Sequence, residues 1–176
     1  MDKNNLLKQA QSAYDKKEYR QALGLFHQAA VIADNENRPM DAAELKNNAS
    51  VSALLAKDFQ LALSLAENTH QIFLDAGDLK RGGMALANQA SALDELGESR
   101  AALEKFGQAA QYLLEAGDND SRTYVLKRMS ALQIKLGKQF EALGTINAAL
   151  DNAETLSSSE KTLKKLSNLV MNLLQR

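Results

Sequence analysis

The sequence contains no cysteine and no tryptophan, and a single proline, Pro39, in 176 residues. Without cysteine there is no disulfide framework, no thiolate metal site and no cysteine nucleophile. With one proline, only loop residues interrupt long helices. Aromatics are scarce at 5%, and the apolar share of 45% is carried mainly by alanine and leucine. Both are strong helix formers, so the expected class is all-α. An excess of either charge is lacking as well: 21 Lys+Arg stand against 22 Asp+Glu, a formal net charge of −1. Nucleic acid is held by a basic stripe that displaces counterions, so no nucleic-acid partner is expected. No apolar run reaches membrane-spanning length, and Met1-Asp2-Lys3-Asn4-Asn5 carries no apolar signal-peptide core. A cytoplasmic protein is expected, without a membrane partner.

Chemistry-bearing clusters are equally thin. His27 and His70 are the two histidines, and neither has a second histidine three or four residues away. Helical zinc or di-iron sites need such clusters. Gly82-Gly83 lacks phosphate-loop spacing and reads as an aid to close helix packing. Glu36, Glu44, Asp94 and Glu95 are not tied into a dry cleft, which acid–base catalysis requires. The expectation is no catalytic residue, no metal and no cofactor. The chain does not read as an enzyme.

What is abundant is repetition. Ala-Leu recurs at Ala22-Leu23, Ala62-Leu63, Ala102-Leu103 and Ala142-Leu143, 40 residues apart each time. A fixed period of that size marks a solenoid. Other columns come into register on this anchor: Phe26, Ala66, Phe106 and Ile146 four residues later, and Ala29, Thr69, Ala109 and Ala149 seven later. Spacing of i, i+4 and i+7 is one face of an amphipathic helix. Small residues (Ala10, Ser50, Ala90, Ser130) stand twelve before each anchor and let a preceding helix approach closely. Gly97 and Gly137 fit helix ends, with Lys17 and Lys57 in the same column. Ala76-Gly77-Asp78 and Ala116-Gly117-Asp118 read as a glycine cap followed by an aspartate N-cap. Pro39 suits a first helical turn.

Four helix pairs are therefore expected: 3–15 with 19–35, 39–56 with 59–76, 79–96 with 99–116, and 119–136 with 139–155. The repeats span approximately 1–38, 39–78, 79–118 and 119–156 of a single domain covering 1–176, with a capping helix at 157–176. In that last segment Ser157 and Glu160 match a capping box, and Leu163, Leu166, Val170 and Leu173 form a stripe. Lys161, Lys164, Lys165 and Arg176 flank the stripe, a basic amphipathic pattern that could also join two copies.

Carried on Ala10…Tyr19-x-x-Ala22-Leu23-x-x-Phe26-x-x-Ala29 and Leu86…Ala90…Gly97…Ala102-Leu103-x-x-Phe106-x-x-Ala109, the pattern resembles the tetratricopeptide repeat in a longer, 40-residue form. It departs from that family in its tryptophan column, which holds Leu6, Lys46, Leu86 and Leu126, and in lacking the late proline. The resemblance implies a right-handed α–α superhelix and an adaptor that takes a peptide segment of a partner protein in its concave groove. It also implies that groove asparagines can hydrogen-bond the peptide backbone.

The helix face opposite the packing face names the groove residues. The second position of that stripe gives Lys8, Asn48, Asn88 and Arg128, one polar row across the repeats. Asparagine offers a donor and an acceptor to a peptide unit, while Lys8 and Arg128 suit carboxylates. Val51, Leu55, Met84 and Tyr124 add apolar anchoring on the same stripe. The alternative is a self-assembling protein, or an accessory subunit of a larger complex, that uses the C-terminal helix.

Overall fold

The computed structural model describes residues 3–152 and 155–174, and among them the chain forms helices without strands. In order these are α1 (Lys3–Asp15), α2 (Tyr19–Asn35), α3 (Pro39–Leu55), α4 (Phe59–Ala66), α5 (Thr69–Asp75), α6 (Leu79–Glu95), α7 (Ser99–Glu115), α8 (Asn119–Lys135), α9 (Gln139–Asn152) and α10 (Ser158–Leu174). Helices α3, α6 and α8 each pack against the helix that follows and the one that precedes, α1 packs against α2, and α10 lies against α9. The expected end of the last pair near residue 155 borders residues 153–154, which fall outside the described residues, as does Arg176.

Local chemistry decides where each helix stops. A left-handed residue recurs at Lys17, Asn37, Lys57, Gly77, Gly97, Gly117 and Gly137, one every 20 residues. At each junction the following N–H reaches back to the carbonyl five residues earlier, as from Glu18 to Ala13 (2.8 Å), Asp78 to Phe73 (2.9 Å) and Asp118 to Leu113 (3.0 Å). This closure uses carbonyls that a helix end would otherwise leave open. The next helix starts at once. Asp58, Asp78 and Asp118 accept from the backbone N–H groups of Leu61, Arg81 and Ser121, and Pro39 takes a first-turn position in α3. Helix plus turn therefore makes a 20-residue unit, and two units make the 40-residue repeat.

The anchor alanines and the small-residue column are buried against one another. Where the small residue is serine, its hydroxyl donates to the anchor carbonyl: Ser50 to Ala62 at 2.7 Å and Ser130 to Ala142 at 2.9 Å. A Cβ at Gly82 would lie 2.6 Å from Leu74 Cδ2, and one at Gly83 2.9 Å from Leu113 Cγ. The glycine pair thus seats α6 against α5 on one side and α7 on the other, the close packing expected of it.

Two features depart from the sequence reading. The helix expected over 59–76 breaks into α4 and α5 at Asn68, which is left-handed at φ 60°. Asparagine tolerates that conformation better than most residues. The carbonyl of Ala66, freed by the break, is taken by the Thr69 hydroxyl at 2.7 Å and by Gln89 Nε2 at 2.8 Å. Gln89 Nε2 also contacts His70 Nδ1 at 3.0 Å, and burial, with Lys105 adding to it, holds this imidazole below the ordinary histidine pKa. The other departure is in α10. Its capping box forms, with the Ser157 N–H donating to Glu160 (2.9 Å) and the Glu160 N–H to Ser157 Oγ (3.3 Å). Lys127 also donates to Glu160, and these contacts hold its carboxyl down at about 2. Yet Leu163, Leu166 and Val170 of the stripe point outward; the Leu173 side chain lies outside the described residues.

Candidate interaction surface

The first helices of the four pairs (α1, α3, α6, α8) supply the exposed face on which the sequence stripe falls. Two depressions lie along it. One, of about 210 Å³, is lined by Gln11 and Tyr14 of α1, Phe26 of α2, and Asn48 and Val51 of α3. The other, of about 220 Å³, is lined by Val51, Leu54 and Leu55 of α3, Asn88, Ser91 and Glu95 of α6, and Tyr124 and Arg128 of α8. Val51 borders both, so the two form one track across the helices.

This track brings together Asn48, Val51, Leu55, Asn88, Tyr124 and Arg128. Lys8 and Met84 are exposed on α1 and α6 but line neither depression. Tyr124, 54% exposed, and Leu55, 44% exposed, are the large apolar surfaces of the track. Burying such side chains against a partner is the main source of affinity at an interface.

The polar groups are held rather than loose. Asn88 Nδ2 donates to Asn47 Oδ1 at 3.2 Å, and Asn47 Nδ2 in turn donates to the Ala43 carbonyl at 3.0 Å. Asn88 keeps its carbonyl oxygen and one N–H for a ligand, already oriented by the buried Asn47. Arg128 lies 3.7 Å from Asp94, a carboxylate that also takes Lys135 at 3.1 Å. A ligand carboxylate at Arg128 would therefore share the guanidinium with Asp94.

Sequence reasoning missed Tyr14, Asn47 and Asp94. Tyr14 stands beside the stripe and meets Tyr19 edge-on, with centroids 5.8 Å apart. The pairs Asn47–Asn88 and Asp94–Lys135 are each 41 residues apart, one more than the repeat. A ruler of 40 passes over such pairs because neighbouring helices meet between columns. Pairing polar residues at 41 would have found both.

Among the described residues no group of three or more His, Cys, Asp or Glu could hold a metal ion. No helix among them is long and apolar enough to cross a membrane. No protein-family model and no curated protein sequence matches the chain. Solved structures do. The crystal structure of nearly identical TPR-like repeats from a proposed Podosopora anserina kinesin light chain superposes with a TM-score of 0.74 at 14% identity, covering 98% of this chain and 88% of that one. A glutamine-to-methionine variant of those repeats gives a TM-score of 0.54 at 13% identity, over 98% and 96% of the two chains. The fold is thus the TPR-like right-handed α–α solenoid, four helix pairs with a further helix at the C-terminal end.

Proposed function

We propose that this TPR-like solenoid is a cytoplasmic adaptor, acting by binding rather than catalysis, whose concave track takes an extended segment of another protein. A general protein-interaction role is what the fold supports. The observation that carries the finer reading is the track itself: apolar Val51, Leu55 and Tyr124 interleaved with the amides of Asn48 and Asn88. An extended peptide alternates backbone polar groups with side chains, and this surface alternates in the same way. Arg128, shared with Asp94, favours an acidic group at the α8 end of the ligand. Lys8, beyond the α1 end of the track, would meet a longer ligand.

Peptide display against the purified protein, followed by titration of the selected sequences, tests this reading. Asn48→Ala combined with Tyr124→Ala is expected to weaken selected peptides at least about 10-fold, the size typical of an interface anchor. Both side chains are exposed, so the melting temperature should stay put. Asn88 is a poorer probe, because its loss also strips Asn47 of a partner. Undiminished binding by the double variant would remove the track from the proposal.

A further inference from the structure

Helix α10 turns its polar side to the rest of the protein. Ser167 is fully buried, its hydroxyl donating to the Leu143 carbonyl at 3.4 Å. Lys164 pairs with Asp151 at 2.7 Å, Asn168 accepts from Asn147 at 2.9 Å, and Glu160 takes Lys127 at 2.6 Å. At about 100° per residue, Leu163, Leu166, Leu169 and Val170 fall to the other side, Leu166 and Leu169 at its centre and Leu163 and Val170 at the edge nearest Ser167. They are 41%, 57%, 58% and 38% exposed. A helix that merely closed an array would place these sides the other way round.

The exposed stripe does not stop at the helix edge. Leu163 borders an open depression of about 440 Å³ with Ala131, Ile134, Leu143 and Ile146, and Ile134 is itself 58% exposed. Contiguous apolar surface of this kind marks an interaction site, whereas single exposed leucines do not.

We infer that this surface is covered by a second copy of the same chain, two α10 helices packing antiparallel about a two-fold axis. Three observations select that occupant. Positions 163, 166, 170 and 173 alternate steps of three and four, the seam of a two-helix coiled coil. An isologous pair is self-complementary, so one stripe serves both sides. Charge sets the direction. Lys161, Lys164 and Lys165 all lie in the first half of α10, and residues 166–174 carry no charge. Side by side in parallel, the lysine clusters of both copies would crowd one end of the pair. Turned antiparallel, each lysine cluster lies beside the partner's last helical turn, whose open carbonyls attract cations. Size agrees as well: the five exposed apolar residues (Leu163, Leu166, Leu169, Val170 and Ile134) offer on the order of 500 Å² per copy, the apolar centre of an interface of about 800 Å² per partner. The track takes Tyr124 and Arg128 of α8 and the pairing surface Ala131 and Ile134 of the same helix, so the two surfaces are neighbours there.

Sedimentation velocity of the full chain, from about 1 µM to about 300 µM, is expected to show a monomer–dimer equilibrium. Leu166→Lys with Leu169→Lys should weaken it at least about 30-fold, with the circular dichroism spectrum unchanged, since both side chains are more than half exposed. The cysteine-free chain allows one spin label at Ser159→Cys; an antiparallel pair places the two labels about 25 Å apart, a parallel pair about 10 Å. The 25 Å distance supports the pairing, and a short distance overturns the antiparallel arrangement. A monomer at every concentration, including one that binds anionic vesicles instead, overturns the inference. So does a dimer indifferent to the lysine pair.

Discussion

The third and fourth helix pairs follow one backbone plan and fill it differently. Helices α6 and α8 have the same length and both end at a left-handed glycine. Inside them, Gly83, Ala90 and Leu93 of α6 stand where α8 has Thr123, Ser130 and Gln133, and all six are buried. Across from them, Phe106 of α7 is fully buried, while its counterpart Ile146 of α9 is half-buried. Ser130 and Thr123 find carbonyls at 2.9 and 3.3 Å, but the buried Gln133 Oε1 has no partner among the described residues. The plan thus depends on helix ends, and the core residues set only how firmly each pair is held. In a stacked array each pair leans on its neighbours alone, so the fourth is expected to open before the third.

The sharpest break in this comparison comes from truncating the two aromatic-column residues. Phe106→Ala is expected to cost about 3–5 kcal/mol, and Ile146→Ala about 1–2 kcal/mol, because the second site is already partly open. Urea denaturation followed by circular dichroism measures both; equal losses would abolish the distinction between the pairs. A smaller effect of opposite sign is expected from Gln133→Leu. It restores the leucine of the third pair, removes an unpartnered buried oxygen and should add about 1 kcal/mol. A loss of stability there would mean that Gln133 holds a contact the geometry does not display.

The smallest expected effect is a matter of pH. His70 has a lowered pKa in the folded protein, so below the ordinary value near 6.5 the unfolded chain binds more protons. Stability is complete above that value and declines as pH falls through the lowered one. His70→Gln should flatten the melting temperature across that window. Asp78, held below the usual carboxylate range mainly by the Arg81 backbone N–H, and Asp118, by Lys80, yield only at more acid pH. The acid response near neutrality therefore belongs to the joint between α5 and α6, not to the fourth pair. A slope that survives His70→Gln would reassign it.

What was legible in the sequence was local or periodic. Glycine, aspartate and Pro39 dictate helix ends through neighbours only a few residues away, so the helix bounds could be read directly. The break at Asn68 was not, because Thr69 sat in the alanine column and a left-handed asparagine is silent until Gln89 is seen to cover Ala66. On the candidate surface the periodic stripe placed six of its eight residues along one track. It could not supply Asn47 or Asp94, which act across helices. The direction of the α10 stripe was equally hidden: its periodicity is the same whether the leucines face in or out.

The 20-residue interval between left-handed junctions has a consequence for how this chain can be cut and rejoined. Every junction closes with hydrogen bonds made inside its own turn, so each is an interchangeable splice point. Removing residues 78–117 joins Gly77 to Asp118 and recreates the Gly-Asp step already present at Gly117-Asp118. Such a 40-residue excision keeps inner helices inner and should leave a shorter array. Removing 20 residues instead would exchange inner and outer helices from the cut onward. The grammar of this chain is therefore counted in pairs of turns, and length is editable only in that currency.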